Sequence, residues 1–302
     1  MAEDGGGAGA RGIISVMRFR VLTYNIHKAI GVDRKFAPER IVEILRHHDA
    51  DVVLLQEVDR FRPRSGLLDL ASYLARQLDY RYRAVGMNVF FKHGKYGNAT
   101  LSRYPIGRQH NIDLTIGRTK RRGAQHTRIH FATRERWVEV DVFNVHLSLA
   151  ARLRRQQVER LLATHDVAHL VPEARCVIAG DMNDWPGVLK RRYFAPARFL
   201  CATNRRPGSR WAIKTFPSFA PSSGLDKIFY RGLLHLLHAH HSRLKLARVA
   251  SDHLPVIADF EIQPEPRDRE APRRPANVAS CPRFYACACV WRSTRPAQPK
   301  PV

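Results

Sequence analysis

At 302 residues, 44% of them hydrophobic, the chain is long enough to bury a sizeable core, and its formal net charge of +24 favours polyanionic partners: nucleic acid, acidic membrane surfaces or phosphorylated substrates. The composition argues against a membrane-spanning protein, since no apolar run approaches bilayer length, and against a disulfide-stapled scaffold. The five cysteines (Cys176, Cys201, Cys281, Cys287 and Cys289) are odd in number and match no paired zinc-knuckle spacing, so a reducing, cytoplasmic setting is the expectation.

In chain order, residues 1–16 are acidic and Gly-rich without an apolar h-region, and read as a disordered leader or as sequence before a natural start at Met17. RFRVLTYNI follows as a strand. APERIVEILRHH places Ile41, Ile44 and Leu45 on one helix face, with Pro38 near its start. DADVVLLQEV is a buried strand. RAVGMNVFF, GNATLSRYP, QHTRIHFAT, RWVEVDVFNVHL and ARCVIAGDMND read as strands or strand–turn pairs. ARLRRQQVERLLATHDVAHLV reads as one basic amphipathic helix. SGLDKIFYRG and HLPVIADFEI close the set. The pattern predicts a single α/β domain over residues 17–263, with two packed sheets and helices on the outer faces. Residues 264–302 are rich in Pro and Arg without periodicity and are expected to be disordered.

Apolar strands in this chain repeatedly end in proton-carrying or metal-binding side chains. VLTYN ends at Asn25, VVLLQE at Glu57 and DVFNVH at His146. CVIAGDMND delivers Asp181 and Asn183, GLD gives Asp226, and SDH gives Asp252 and His253. Singly, each has an ordinary reading as a turn, a cap or a satisfied polar group. Jointly they hold what phosphoester hydrolysis needs. A divalent cation neutralises the phosphoryl and leaving oxygens, and Mg²⁺ takes hard oxygen ligands. Glu57, Asn25 and Asp252 are the candidates to hold it. Asp181 suits a base or water-positioning role, with Asn183 as an orienting neighbour. His253 and His146 suit contact with the phosphoryl group, and Asp226 can fix the His253 tautomer.

The motifs TYNI, LLQEV, GNATLSRYPI, NVHL, IAGDMND, LDKIF and SDHLPV, in this order over about residues 18–262, resemble the endonuclease/exonuclease/phosphatase superfamily. The resemblance implies a DNase I-like four-layer α/β-sandwich, a monomer, and Mg²⁺- or Mn²⁺-dependent cleavage of a phosphoester. Residue by residue it implies metal roles for Asn25, Glu57 and Asp252. It implies catalytic roles for His146, Asp181, Asn183 and His253, with Asp226 paired to His253. His27 stands where DNA-repair members often carry a carboxylate, and is read as structural or supporting. In its LTYNIHKAIG opening the chain is similar to small bacterial members of uncertain substrate.

Three functions compete. The first is a nuclease, supported by the basic loops Gly117–Arg128 and Asn204–Lys214, the second holding Trp211, which can track a nucleic-acid backbone. The second is a phosphoesterase acting on a lipid headgroup, an inositol phosphate or another small phosphoester. An exposed aromatic hairpin would support a lipid, but Phe90 and Phe91 are expected in the core. The third, a non-catalytic scaffold, is disfavoured because the whole catalytic set is retained. The chain contains no GxxxxGK[ST] loop, GxSxG elbow or HExxH motif.

Overall fold

The computed structural model describes residues 17–133, 136–204 and 212–265. The leader, most of the loop around Trp211 and the tail with Cys281, Cys287 and Cys289 lie outside the described residues. Among those described, the strands are β1 (Arg18–Asn25), β2 (Val52–Arg60), β3 (Tyr82–Phe90), β4 (Lys95–Ser102), β5 (Ile106–Asp113), β6 (Gly123–Ala132), β7 (Trp137–His146), β8 (Cys176–Asp181), β9 (Leu200–Cys201), β10 (Asp226–Arg231), β11 (Leu234–His241) and β12 (Val256–Ile262). The α-helices are α1 (Pro38–His48), α2 (Leu70–Gln77), α3 (Ala151–Leu162), α4 (His165–Ala168) and α5 (Ala247–Ala250). No described helix is long and apolar enough to cross a membrane.

The strands form two six-stranded mixed sheets, ordered β11-β12-β1-β2-β4-β3 and β5-β6-β7-β8-β10-β9. Their inner faces close a core of Phe19, Val21, Leu54, Phe131, Val142, Ile228 and Phe260 among others. The outer face of the first sheet packs Leu22, Leu55 and Ile257 against Ile41, Ile44 and Leu45 of α1 and against Leu74 of α2. The outer face of the second packs Phe143, Ile178 and Phe229 against Val158 and Leu161 of α3 and Val167 of α4. Each central strand is thus buried on both faces, which is why its sequence reads as an unbroken apolar run. The result is the expected four-layer sandwich.

Buried polar groups tie the sheets together toward one end. Gln56 donates to Asn144 Oδ1 at 2.8 Å, and Asn144 Nδ2 donates to the Leu55 and Ala99 carbonyls at 3.1 and 3.0 Å. Thr100 donates to Gln125 Oε1 at 2.8 Å. Such a network fixes the relative slide of the sheets, because a shift of one residue would orphan every member.

Three strands were not expected. β5, β9 and β11 are all sheet edges. Edge strands keep a solvated face and a free backbone row, so the polar run IGRQHNID and the His-rich run LHLLHAHH carry little apolar alternation. The short helix α2 was also unanticipated. The expected single basic helix is two, α3 and α4, broken at Ala163–Thr164, where the Thr164 hydroxyl donates to the Leu161 carbonyl at 2.7 Å. Phe90 and Phe91 are exposed, at 57% and 43%, rather than in the core. They sit at the free end of the β3–β4 hairpin, beyond the reach of either sheet's partner layer.

Candidate active site

Strand register assembles most of the site. In the second sheet His146 pairs with Asp181 across the parallel β7–β8 ladder, and Asp226 pairs with Asp181 across the antiparallel β8–β10 ladder. Three strands therefore place His146, Asp181 and Asp226 on one rung. In the first sheet β1 ends at Asn25, its parallel partner β2 carries Glu57 at an internal bulge one residue beyond their pairing, and the Ser251–His253 turn leads into β12 beside β1. Gly180 permits the rung. Its φ is +142°, and a Cβ there would lie 1.9 Å from the Val145 carbonyl oxygen.

Asp181 is the hub. Its Oδ2 accepts from Asn25 Nδ2 at 3.1 Å and lies 3.5 Å from His146 Nε2 and 3.7 Å from His253 Nε2. Its Oδ1 accepts the backbone N–H of Asn183 at 3.0 Å. Asn183 thus orients Asp181 through its main chain, at φ +49°, while its side chain donates to the Leu147 carbonyl at 3.0 Å. Asp226 Oδ2 accepts from His253 Nδ1 at 2.9 Å and from Thr215 Oγ1 at 2.5 Å, and its Oδ1 is buried without a hydrogen-bond partner. One ligand atom each from Asp181, Asp226 and His253 lies within a 4.8 Å cluster. Ser251 Oγ donates to the Asn25 carbonyl at 2.7 Å and lies 3.3 Å from Asp252 Oδ1, which ties the SDH turn to the end of β1.

The two imidazoles are driven apart. Burial opposes a charge on His253, but Asp226 and Asp181 outweigh it and push its pKa up to about 10. Burial and the Arg122 charge push His146 down to about 4. At neutral pH one is a cation and the other a neutral ring, a division typical of sites that handle protons.

Glu57 stands apart from this hub. Its φ is +60°, at the register shift between Leu55 and Val58 in the β2–β4 pairing, so a bulge turns the carboxylate out of the ladder. Lys28 forms an ion pair with it. Lys28 is delivered by three successive left-handed residues, His27, Lys28 and Ala29. Burial opposes ionisation of Glu57, yet His146, Lys28 and His27 more than offset it and hold the carboxyl well below its usual range. Among the described residues, no hydrogen bond or ion pair joins Glu57 to Asn25 or Asp252. His27 supports the turn: its N–H donates to Asn25 Oδ1 at 3.1 Å, and its Nδ1 is 2.9 Å from the Ile30 carbonyl.

Sequence reasoning passed over Lys28, Thr215 and Ser251 as site residues, and gave Arg122 no individual role. Arg122 is buried with Nε unpartnered, and its charge reaches His146. Lys120 lies over the Tyr96 ring at 5.4 Å; burial and Arg122 lower its pKa while Glu57 opposes them. Arg122 and Lys120 carried a prior signal as part of a basic stretch, and Ser251 as the first residue of the SDHLPV motif.

A site of two opposed imidazoles around a buried aspartate, at one end of a two-sheet sandwich, defines a DNase I-like phosphoesterase framework. The chain belongs to the Endonuclease/Exonuclease/phosphatase family, whose model matches residues 22–253. It is 30% identical over 260 residues to the uncharacterized protein YbhP of Escherichia coli, a match covering 81% of this chain and 96% of that protein. Among solved structures it is similar to an endonuclease/exonuclease/phosphatase from Beutenbergia cavernae, at 23% identity and TM-score 0.65, over 82% of this chain and 72% of that one. It is also similar to D. rerio TDP2 complexed with single strand DNA product, at 15% identity and TM-score 0.59, over 80% and 98% of the two chains.

Proposed function

We propose that the chain hydrolyses a phosphodiester of nucleic acid by in-line attack of water with the help of Mg²⁺ or Mn²⁺. The observation that carries this is the Asp181 hub beside one cationic and one neutral imidazole, with the cations Lys120 and Arg122, in the short loop that leads into β6, converging on the same end; the rest of the expected basic loop, from Gly123 to Arg128, is strand. Asp181 Oδ2 accepts a proton from, or orients, the attacking water. The His253 imidazolium donates from Nε2 to a phosphoryl oxygen, held in place by Asp226 through Nδ1. His146, neutral, offers a second contact. The fold of TDP2, which was captured with a DNA product, accommodates such a strand.

The donor set fits a hard divalent cation. Glu57, Asn25 and Asp252 offer carboxylate and amide oxygens, and Glu57 already draws a positive group, the Lys28 ammonium, to its oxygen. When bound, the ion supplies charge neutralisation at the phosphoryl and leaving oxygens.

A second reading has its own observation. Phe90 and Phe91 project from the hairpin that ends beside Tyr96, with Arg62 over the Phe91 ring at 3.8 Å and Lys95 over Phe90 at 5.2 Å. Exposed rings flanked by cations suit the interface of an anionic bilayer, and hence a lipid phosphodiester.

The test is Mg²⁺-dependent nicking of supercoiled plasmid, with Asp181→Ala as the contamination control. Nicking abolished by EDTA and absent in the variant supports the nuclease. Intact plasmid together with cleavage of bis-p-nitrophenyl phosphate, and vesicle binding lost in Phe90→Ser/Phe91→Ser, moves the substrate to lipid. Inactivity on every phosphodiester with Mg²⁺ or Mn²⁺ overturns both.

A further inference from the structure

The outer face of the second sheet carries a second cluster of metal-binding side chains that the phosphoesterase site does not use. His110 on the edge strand β5 and His126 on β6 are direct cross-strand partners, so their side chains stand next to each other on one face. Their rings meet edge to face with centroids 5.0 Å apart. Asp166, in the first turn of α4, closes the cluster from above. His110 Nε2 lies 2.9 Å from Asp166 Oδ2, and His126 Nδ1 lies 3.6 Å from Asp166 Oδ1. One ligand atom from each of the three residues falls within a 4.8 Å group.

The chemistry of His126 points to a ligand. Its side chain is 1% exposed, and its Nε2 is 2.7 Å from Asp141 Oδ1. Arg128 holds Asp141 from the other side, with Nε at 2.9 Å and a terminal nitrogen at 3.2 Å, so this carboxylate is ionised and accepts the Nε2–H of His126. That hydrogen bond occupies Nε2 and leaves Nδ1 as the ring atom turned into the cluster. Nδ1 is buried and has no hydrogen-bond partner, and it faces the Asp166 carboxylate. A positive charge held between Nδ1 and the Asp166 carboxylate, a proton or a metal ion, satisfies both buried groups. A carboxylate bonded to the far nitrogen of a histidine is also the arrangement that orients metal-bound imidazoles. Phe143 stacks on the His126 ring at 4.3 Å and gives the cluster an apolar floor. His110 is one-third exposed, which leaves an open side for a water ligand, and Arg108 lies 3.4 Å from Asp166 Oδ1 at the rim.

We infer that His110, His126 and Asp166 bind a zinc-class dication, with Asp141 orienting His126. Two imidazoles and one carboxylate form a nitrogen-rich set suited to Zn²⁺, with water completing four-coordination. The oxygen donors at the phosphoesterase site suit Mg²⁺ instead, so the two sites select different metals. Bound zinc fastens the edge strand β5 to α4. For His110 this requires a free lone pair on Nε2, so its ring proton moves to Nδ1.

The probe is the metal alone, on the full chain stripped with chelator. Co²⁺ is expected to give the visible bands of a four-coordinate nitrogen–oxygen site at one equivalent. Zn²⁺ is expected to displace it and raise the melting temperature, while millimolar Mg²⁺ does neither. Asp181→Asn is expected to keep the bands. His110→Ala, on the edge strand, and Asp166→Asn are expected to abolish them. Asp141→Asn is expected to weaken Co²⁺ binding about 10–100-fold. Metal-free circular dichroism shows whether each variant is folded. Bands that survive in folded His110→Ala, or that vanish instead in Asp181→Asn or in His238→Ala on the His-rich edge strand β11, overturn the assignment. So does the absence of stoichiometric Co²⁺ or Zn²⁺ binding by the wild type.

Discussion

His253 bonds Asp226 Oδ2 through Nδ1 at 2.9 Å and turns Nε2 toward Asp181 Oδ2 at 3.7 Å, so one ring is held between two buried carboxylates. This arrangement links stability to pH. The His253 pKa is near 6.5 in the unfolded chain and rises to about 10 in the fold. Below about 6.5 the ring is protonated in both states and its ion pairs contribute fully. As pH rises toward 10 the unfolded chain no longer binds this proton, and the contribution declines. Asp226→Asn removes the main partner. The wild type is therefore expected to be more stable than Asp226→Asn at pH 6, with a difference in urea midpoint that narrows steadily up to pH 10. A difference that stays constant would show that His253 is not the group responsible.

Removing Asp181 tests chemistry separately from folding. Asp181→Asn keeps the size of the side chain and an acceptor for Asn25, but loses the charge. Hydrolysis of bis-p-nitrophenyl phosphate is expected to fall by about 10²–10⁴-fold, the usual contribution of a positioned base. Melting temperature should also fall, since the buried His253 cation loses one of its two carboxylates, so circular dichroism at the assay temperature checks that the variant is folded.

Lys28 and a divalent cation compete for the Glu57 carboxylate. Lys28→Met is therefore expected to lower the Mg²⁺ concentration giving half-maximal activity. Glu57→Gln, which removes the charge that both seek, should raise it by more than tenfold. Metal titrations of the two variants check this, and a Lys28→Met requirement above that of the wild type would make the ammonium a substrate contact instead.

Gly180→Ala should be costly although it adds a single methyl group. The new Cβ meets the Val145 carbonyl at 1.9 Å in a backbone conformation that L side chains rarely adopt. The expected destabilisation is about 2–4 kcal/mol, read by chemical denaturation. The parallel β7–β8 pairing that aligns His146 with Asp181 would be the first element strained.

What the sequence disclosed follows burial. Central strands are covered on both faces, so their apolar runs end visibly at Asn25, Glu57, His146 and Asp181, and their register does the rest. The edge strands β5 and β11 were hidden because half of each is solvated. Phe90 and Phe91 misled for the opposite reason: apolar residues in a strand suggest a core, and nothing local reveals that a hairpin outruns its partner layer. Lys28 left no trace, since none of His27, Lys28 and Ala29 is a residue that normally marks a left-handed turn. Thr215 was equally silent, because its bond to Asp226 depends on how the loop between them folds back, which no local pattern marks. An imidazole ordinarily titrates near neutrality; the two aspartates around His253, one from each of two neighbouring strands, move it well above.

The pairing of β1 with β12, extended by the bond from the Ile262 N–H to the Met17 carbonyl at 2.9 Å, makes neighbours of residues from the two ends of the described fold. Asn25 and His253 meet Asp181 only once that seam has closed. Long-range closure of this kind is the slow part of folding, because chain entropy is lost before the contacts form. In a refolding experiment, helices and local hairpins should therefore return well before any catalytic turnover. For the same reason, a circular permutant joined across the seam by a short linker and opened at an exposed turn elsewhere should refold faster and arrive already active.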